Sequence, residues 1–334
     1  MSGRPPPPGA TPTEAFPPAV HHTIGDVQLA VHELGDGGDR PAVVFCHGFP
    51  ELAYSWRFQL PAVADAGFRA IALDQRGYGA SSAPSDVGAY DLAHLTDDLV
   101  GLLDALEIER AVFVGHDWGG YVTWAMPVLH PDRCAGAVGV CTPYSSFATT
   151  ELFRSIVEHD DDLYLLWFQE PGVAEAVLDP QVRLLFTKIL RGGVDPQIID
   201  AERRANGTAG DFNPFRDVPG IPEYGEPIVT RAELDHYVEV FERTGFAGGI
   251  NWYRNIDVNA ARFPHIGTAT LTLPTLMLSA AWDPVLRPEM AAGMPDVCTD
   301  LEMRVIPRSG HWLQQEEPEA VNDLLVDWLI RRFG

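Results

Sequence analysis

The segment 115–120, Gly-His-Asp-Trp-Gly-Gly, constrains the fold of this chain more than any other part of its sequence. It follows an apolar run at 111–114, typical of a buried strand, and it precedes a helical stretch at 121–130. A strand, a sharp bend and a helix lift one side chain above the edge of a sheet, and small residues must flank it because the backbones approach closely. Gly115, Gly119 and Gly120 meet this requirement, and the side chain that is lifted is that of Asp117.

Asp117 is therefore a candidate nucleophile. At a helix N-terminus, the helix dipole and the free N–H groups favour an ionised carboxylate. A carboxylate that attacks carbon forms an ester with the substrate, which indicates alkyl transfer rather than the acyl transfer of an esterase with Ser at this position. The alternative is a glycine-rich turn in which Asp117 only caps the helix.

Strand and helix patterns alternate along most of the chain. Six apolar runs of strand character cover 41–46, 69–73, 110–115, 135–141, 274–280 and 301–306, and an alternating β-ribbon precedes them at 21–34. Leucines recur at helical spacing between Leu92 and Leu106, and a last amphipathic helix is predicted over 318–333. This alternation predicts a mostly parallel sheet that is covered on both faces.

The alternation stops over 144–263, where the sequence is mostly helical in pattern. Within this stretch, Thr230 and Glu233 are spaced as a capping box that opens a helix ending near Gly245, and a long loop is predicted over 206–227. We predict a core at 21–143 and 264–334, a helical cap at 144–263 and a disordered Pro-rich tail at 1–20. Ligands of open α/β sheets bind at the carboxyl ends of the strands, and the cap is predicted to lie there.

His311 and Asp283 are candidates for the base and for the acid that orients it. His311 follows the last predicted strand, and Asp283 follows the strand before it. A carboxylate that accepts from the imidazole N–H fixes its tautomer and its orientation. The alternatives are a structural histidine and a turn residue in the Asp283-Pro284 step.

Two backbone N–H groups are candidates for an oxyanion hole. The loop His47-Gly48-Phe49-Pro50 ends the strand before the first long helix. In a strand–helix bend of this kind, that loop and the residue after the nucleophile supply the donors, which are the N–H groups of Phe49 and Trp118 here. The alternative is a Gly-Pro turn without a binding role.

Several short motifs carry a resemblance to one enzyme family. They are His-Gly-Phe-Pro-Glu at 47–51, Asp-Gln-Arg-Gly-Tyr-Gly at 74–79, Gly-His-Asp-Trp-Gly at 115–119, Phe-Gln-Glu-Pro-Gly at 168–172, Asn-Trp-Tyr-Arg-Asn at 251–255 and Gly-His-Trp at 310–312. With them the chain resembles the soluble epoxide hydrolases of the α/β-hydrolase fold over about residues 22–333. The core motifs are shared with dehalogenases, whereas the cap motifs are specific. The resemblance implies an α/β-hydrolase core, with a mostly parallel eight-stranded sheet and helices on both faces, and an inserted helical cap.

The resemblance also implies that two cap tyrosines, Tyr164 and Tyr253, bind and protonate the epoxide oxygen. A phenol can donate a hydrogen bond throughout ring opening and deliver a proton as charge develops. The implied product is a vicinal diol, formed through a hydroxyalkyl ester on Asp117 that water hydrolyses after activation by His311 and Asp283. The alternative for each tyrosine is an ordinary core aromatic residue.

Two other functions compete with epoxide hydrolysis. A haloalkane or haloacid dehalogenase would use the same Asp-His-Asp triad, but Phe49 stands where a haloalkane dehalogenase often has an Asn donor, and Trp118 stands where a fluoroacetate dehalogenase typically has Arg. A non-catalytic ligand-binding protein of this fold would be expected to lack a triad member, and none is missing.

The composition limits the partners. The formal net charge of −24 argues against nucleic acid and against an anionic membrane surface. No apolar run approaches the roughly 20 residues of a membrane helix, and residues 1–20 contain no apolar core of a signal peptide. We predict a cytoplasmic enzyme whose partners are a small epoxide and water, without cofactor or metal, and whose sequence is compatible with a homodimer.

Overall fold

The computed structural model describes residues 16–207 and 210–334. Most of the predicted tail, residues 1–15, lies outside the described residues. Residues 16–20 differ from that prediction, because the Phe16 ring packs edge-on against Tyr54 at 5.3 Å between centroids and the first strand begins at Val20. This end of the predicted tail therefore belongs to the fold.

The described residues form eight β-strands, fourteen α-helices and seven short 3-10 helices. The strands are β1 (Val20–Ile24), β2 (Val27–Leu34), β3 (Ala42–Cys46), β4 (Ala70–Asp74), β5 (Ala111–His116), β6 (Cys134–Val140), β7 (Thr275–Ala280) and β8 (Leu301–Ile306). The α-helices are α1 (Gln59–Asp65), α2 (Leu92–Ala105), α3 (Trp118–Leu129), α4 (Thr150–Arg154), α5 (Tyr164–Trp167), α6 (Val173–Leu178), α7 (Val182–Ile189), α8 (Pro196–Ala205), α9 (Arg231–Thr244), α10 (Ala247–Tyr253), α11 (Ile256–Arg262), α12 (Met294–Val297), α13 (Leu313–Glu316) and α14 (Pro318–Phe333). The 3-10 helices are Ala53–Trp56, Val87–Tyr90, Pro131–Arg133, Asp160–Asp162, Asp179–Gln181, Pro214–Gly220 and Pro288–Ala291.

All eight strands form one sheet in the order β1-β2-β4-β3-β5-β6-β7-β8. β2 is antiparallel to both of its neighbours, β1 and β4, and every other adjacent pair is parallel. The predicted mostly parallel eight-stranded sheet is confirmed, as is the ribbon that opens it. Parallel neighbours need crossover connections, which the helices between the strands supply.

Helices cover both faces of this sheet. Along β3, the side chains of Val44 and Cys46 join one hydrophobic cluster, whereas those of Val43 and Phe45 join another on the opposite face. The second cluster also contains Trp328 of α14. Because successive side chains of a strand point to opposite faces, a strand that is apolar throughout must be buried on both sides.

Helices α4 to α11 lie between β6 and β7 in the sequence. The predicted capping box is confirmed: Glu233 Oε2 accepts from the Thr230 N–H at 2.7 Å, Thr230 Oγ1 accepts from the Glu233 N–H at 3.3 Å, and α9 ends before Gly245. The stretch predicted as a loop over 206–227 contains the 3-10 helix Pro214–Gly220. The division into a core and a cap at the bounds given above stays a prediction.

The carboxyl ends of β3, β5, β7 and β8 lie at one edge of the sheet. β3 and β5 are neighbours, with Cys46 beside Gly115, so the loop after β3 reaches the bend that carries Asp117. β7 and β8 are also neighbours, so the loops that carry Asp283 and His311 lie side by side. Among the residues that the structure describes, no helix has the length and apolar character needed to cross a membrane.

Candidate active site

Asp117 lies at the apex of the bend between β5 and α3, with φ of 50° and ψ of −121°. This backbone conformation is costly for a residue other than glycine and persists only where the surrounding structure holds it. A Cβ added to Gly115 would overlap the carbonyl oxygen of Gly119, and one added to Gly119 would overlap the carbonyl oxygen of Cys46. The small residues of this segment are therefore required by the close approach of β5, α3 and the neighbouring β3.

The two carboxylate oxygens of Asp117 have different partners. Oδ1 accepts a hydrogen bond from the Phe49 N–H at 2.8 Å, and the Trp118 N–H also donates to the carboxylate. Oδ2 lies 3.9 Å from Nε2 of His311. The structure thus brings the predicted nucleophile together with both predicted backbone donors. The alternative helix-cap role is not observed, since the Asp117 side chain makes no capping hydrogen bond to α3.

The ionisation of Asp117 depends on opposing effects. Burial raises the pKa of this carboxyl above its ordinary value, and this is the largest effect. The positive charge of His311 and the N–H groups of Phe49 and Trp118 act against it. The local motif shows only the effects that favour the anion, because burial is not visible in a short stretch of sequence.

His311 and Asp283 form a hydrogen-bonded pair next to Asp117. Nδ1 of His311 lies 2.9 Å from Oδ2 of Asp283, which is fully buried. Oδ1 of Asp283 accepts from the N–H groups of Val285 and Leu286 at 2.8 and 2.9 Å. One oxygen of Asp283 therefore stabilises the turn, and the other binds the imidazole. Both interpretations made from the sequence, the turn residue and the partner of His311, apply together.

The charges of this pair stabilise each other. Burial opposes protonation of His311, but the negative charges of Asp283 and Asp117 outweigh it and raise the pKa of His311 to about 9. Burial also disfavours the Asp283 carboxylate, but the imidazolium and the backbone donors lower the pKa of Asp283 to about 2. In neutral solution His311 of the free protein is therefore an imidazolium paired with the Asp283 carboxylate.

Tyr164 and Tyr253 lie side by side at the start of α5 and the end of α10, with ring centroids 5.8 Å apart and a hydrogen bond between their side chains. The Tyr253 ring also packs against Trp118 and Phe49, at 5.0 and 5.4 Å between centroids. Burial, and then the negative charge of Asp117, raise the pKa of both phenols well above the ordinary value. Both hydroxyl groups therefore keep their protons in neutral solution.

A cavity of about 470 Å³ lies over this edge of the sheet. Four of the predicted catalytic side chains line this cavity: Asp117, Tyr164, Tyr253 and His311. Asp283 does not, because it is fully buried behind His311. Most of its other lining side chains are apolar and come from the segment between β6 and β7, among them Leu165, Ile189 and Phe215. Clefts of this size and character bind small organic molecules.

A buried polar network behind the bend was not singled out from the sequence. Glu51 Oε2 lies 2.7 Å from Nδ1 of His116 and accepts from the Gly48 N–H at 3.0 Å. His116 Nε2 donates to the backbone carbonyl of His311 at 2.7 Å. The only signal in the sequence was that Glu51 and His116 each lie inside a recognised motif, in which the functional roles were given to Phe49, Asp117 and Trp118.

This network continues toward α9. Oε1 of Glu51 accepts from the side-chain amides of Gln314 and Gln315 at 2.9 Å each. The side-chain oxygen Oε1 of Gln315 accepts from Arg57 at 2.7 Å and from the Tyr237 hydroxyl at 3.2 Å. These partners are more than 70 residues apart in the sequence, so no local pattern could have predicted the contacts.

The described residues hold no group of three or more His, Cys, Asp or Glu side chains placed to bind a metal ion. The four cysteines are free and buried. Burial raises the pKa of the Cys46 and Cys134 thiols to about 12, so neither is a reactive thiolate in neutral solution.

Comparisons with known proteins agree with this geometry. The sequence model of the α/β-hydrolase fold matches residues 41–187. Epoxide hydrolase A of Mycobacterium tuberculosis (strain ATCC 25618 / H37Rv) is 42% identical over 311 residues, which are 91% of this chain and 94% of that protein. Bifunctional epoxide hydrolase 2 of Rattus norvegicus is 37% identical over 91% of this chain, which corresponds to about half, 53%, of that longer protein.

A solved structure is similar over the same extent. The crystal structure of epoxide hydrolase A from Mycobacterium thermoresistibile superposes with a TM-score of 0.83 at 42% sequence identity. The match covers 94% of this chain and 98% of that one. The similarity therefore includes the helices between β6 and β7 as well as the sheet.

Proposed function

Since this chain belongs to the epoxide hydrolases of the α/β-hydrolase fold and is a hydrolase that acts on epoxides, we propose that it forms vicinal diols through a covalent ester on Asp117. The observation that carries this proposal is the unequal environment of the Asp117 carboxylate. The Phe49 N–H holds Oδ1, whereas Oδ2 faces His311, and the residue lines the same cavity as two protonated tyrosines.

In the first step, Oδ2 of Asp117 attacks an epoxide carbon and the ring C–O bond breaks. The hydroxyl groups of Tyr164 and Tyr253 bind the ring oxygen, and one of them gives it a proton. This assignment is supported by the burial of both phenols in the cavity beside Asp117 and by the raised pKa values that keep them protonated. The product of the step is a hydroxyalkyl ester and a phenolate.

In the second step, His311 takes a proton from water, which attacks Cγ of the ester. The developing oxyanion is at Oδ1, where the Phe49 N–H already donates in the free protein, and the Trp118 N–H donates to the same carboxylate. Collapse of the intermediate breaks the bond between Cγ and the ester oxygen, and this oxygen takes a proton from the His311 imidazolium as the diol leaves. The Asp117 carboxylic acid that remains gives its proton to His311, which restores the carboxylate and the imidazolium.

The change of charge at Asp117 links the two steps. In the free protein, Asp117 contributes to the raised pKa of His311. Once Asp117 is a neutral ester, this contribution is lost and the pKa of His311 falls. The imidazolium can then donate its proton to the tyrosine phenolate. His311 then enters the second step as a neutral base, as general base catalysis requires.

A dehalogenase is disfavoured by the donors that surround the nucleophile. The side chain of Trp118 hydrogen-bonds to Tyr253, so its single N–H, which would hold a halide, is already used. Phe49, the residue that provides the other donor to Asp117, has only its backbone N–H to offer.

Product analysis tests the proposed activity. Styrene oxide, an aliphatic epoxide and a fatty-acid epoxide are each incubated with the enzyme, and a haloalkane is assayed in parallel for halide release. We expect diols from at least one epoxide and no halide. Halide release without diol formation would identify a dehalogenase, and saturable epoxide binding without turnover would identify a ligand-binding protein.

The proposed enzyme acts on a small-molecule epoxide with water as its co-substrate. Its placement in the cytoplasm, its assembly as a homodimer and its cap over residues 144–263 are proposals that rest on the sequence alone.

A further inference from the structure

The charged side chains that line the active-site cavity have an unusual sign. Apart from Asp117 and His311, they are Lys188, Arg191 and Arg203, and all three are basic. The chain has 47 acidic residues against 23 basic ones, and Lys188 is its only lysine. A cavity that drew its charges at random from this chain would be mainly acidic.

Two of these cations are packed into the wall of the cavity and share one carboxylate. The side chains of Lys188 and Arg191 are 15% and 14% exposed, and they lie 2.9 and 3.5 Å from Glu223. Glu223 is half-exposed and is not part of the cavity lining. Another nearby acid, Glu202, accepts from the Tyr224 hydroxyl at 2.6 Å. The cavity wall therefore carries two positive charges, and they share one negative charge, that of Glu223, which lies outside the cavity lining.

The basic residues belong to the same wall as the reacting groups. Ile189, which follows Lys188, accepts a hydrogen bond from the Trp312 indole beside His311 at 2.5 Å through its carbonyl oxygen. Apolar side chains, including those of Leu165, Phe215 and Ile221, line the rest of the same cavity. A ligand that fits this cavity meets a nucleophile, an apolar wall and a cationic group.

We propose that Lys188 and Arg191 form a subsite for an anionic group of the substrate, so that the enzyme prefers an epoxide joined by an apolar spacer to a carboxylate or a similar anion. This inference rests on the proposed epoxide hydrolysis and assigns the charge of its substrate. A charge-assisted hydrogen bond in a site that is largely shielded from water is stronger than one on the surface. Because the net charge of −24 repels anions at long range, the selection must come from these local contacts.

The test uses pairs of terminal epoxides with the same alkyl spacer, one ending in a carboxylate and the other in a primary amide. We expect the wild-type enzyme to have a higher kcat/KM for the carboxylate at one or more spacer lengths. Lys188→Gln should lower kcat/KM for the carboxylate about tenfold, the scale of one charge-assisted hydrogen bond, and leave the amide unchanged. Glu223→Gln should act in the opposite direction on the carboxylate, because it removes the competing anion.

The matched control is Arg183→Gln. Arg183 lies on α7 with Lys188, is paired with Asp235 at 2.7 Å and is 54% exposed. Its removal changes the net charge by the same amount outside the cavity, so it should not change the preference for the carboxylate. Spacers that end in a phosphate monoester or a sulfonate identify which anion fits best.

The inference is overturned if the wild-type enzyme treats each pair alike, or if Lys188→Gln lowers kcat/KM equally for both members. If none of the epoxides, styrene oxide included, yields a diol, the proposed function fails. The subsite is then tested separately by calorimetric binding of the carboxylate diol and the amide diol. A loss of affinity in Lys188→Gln for the carboxylate diol alone supports the subsite, and equal affinities overturn it.

Discussion

Asp117 shows how one side chain can serve two steps because its two oxygens have different neighbours. Oδ1 is fixed by the Phe49 N–H at 2.8 Å, and Oδ2 is turned toward His311 at 3.9 Å. The oxygen that is held becomes the carbonyl oxygen of the proposed ester, and the other oxygen forms the bond to carbon. The Phe49 N–H then needs no rearrangement when charge develops on Oδ1, which is the basis of electrostatic preorganisation.

The tyrosine pair is tested by removing one hydroxyl at a time. Tyr253→Phe and Tyr164→Phe keep the aromatic ring but remove the proton donor, so the rate of ester formation should fall by about a hundredfold in each variant. Rapid-mixing kinetics on the two variants measure this rate. Tyr224→Phe is the control, because Tyr224 also lines the cavity but its hydroxyl donates to Glu202, which does not. Wild-type rates in both variants of the pair would contradict the assigned role.

The pH dependence of the two half-reactions should differ. Ester hydrolysis needs neutral His311, so its rate should rise with pH through the pKa of His311 in the ester. That pKa lies below the value of about 9 in the free protein, because the negative charge of Asp117 is absent. Ester formation needs ionised Asp117, so its rate should fall as the pH falls through the raised pKa of Asp117. Single-turnover kinetics measure both steps, and a hydrolysis rate that falls as pH rises toward about 9 would contradict this account.

At the scale of the secondary structure elements, the bend depends on the contact between α3 and β3. Gly119→Ala places a methyl group against the carbonyl oxygens of Cys46 and His47, which belong to the rigid backbone. We expect this variant to lose most of its activity and to unfold at a markedly lower temperature. Gly293→Ala is the control, because a Cβ there meets no atom within 4 Å. Equal melting temperatures for the two variants would show that the bend tolerates a side chain.

The elements that the sequence predicted are those with a strong local pattern. The apolar strands, the leucine-spaced α2, the capping box of Thr230 and Glu233 and the last helix all correspond to observed elements. The 3-10 helix Pro214–Gly220 was missed within a stretch that is rich in Gly and Pro, where short elements leave little periodicity. Asp117, Asp283 and His311 could be nominated because each follows a strand, whereas Tyr164 and Tyr253 were nominated from the motifs of the family resemblance. The network of Glu51, Gln314 and Gln315 could not, because its contacts form only when the sheet is assembled.

At the scale of the whole molecule, a buried ion pair ties α9 to the connection between β3 and α1. Arg57 Nε donates to Glu233 Oε1 at 2.6 Å, and the two side chains are 5% and 7% exposed. Burial opposes ionisation of Glu233, but the positive charge of Arg57 and the capping bonds outweigh it, so the pKa of Glu233 is lowered. The stability that this pair contributes is present in neutral solution and is lost as the pH falls through the lowered pKa.

Removing one partner of this pair should leave a buried charge unpaired. We expect Glu233→Gln to lower the free energy of unfolding by about 3 kcal/mol. Asp235→Asn, on the same helix, breaks the exposed pair with Arg183 and should cost less than about 1 kcal/mol. Urea unfolding of both variants measures the difference. Equal losses in the two variants would contradict the special role of the buried pair.

The covalent ester on Asp117 is the central claim, and intact mass spectrometry of a His311→Gln variant tests it most directly. This variant keeps the nucleophile and both tyrosines but lacks the base, so the ester should form and persist. With a reactive epoxide, the account predicts a mass increase equal to one epoxide molecule, located by peptide mapping at Asp117 and absent after Asp117→Ala. A folded His311→Gln variant that forms diol at the wild-type rate, or that carries no adduct on Asp117, would contradict it.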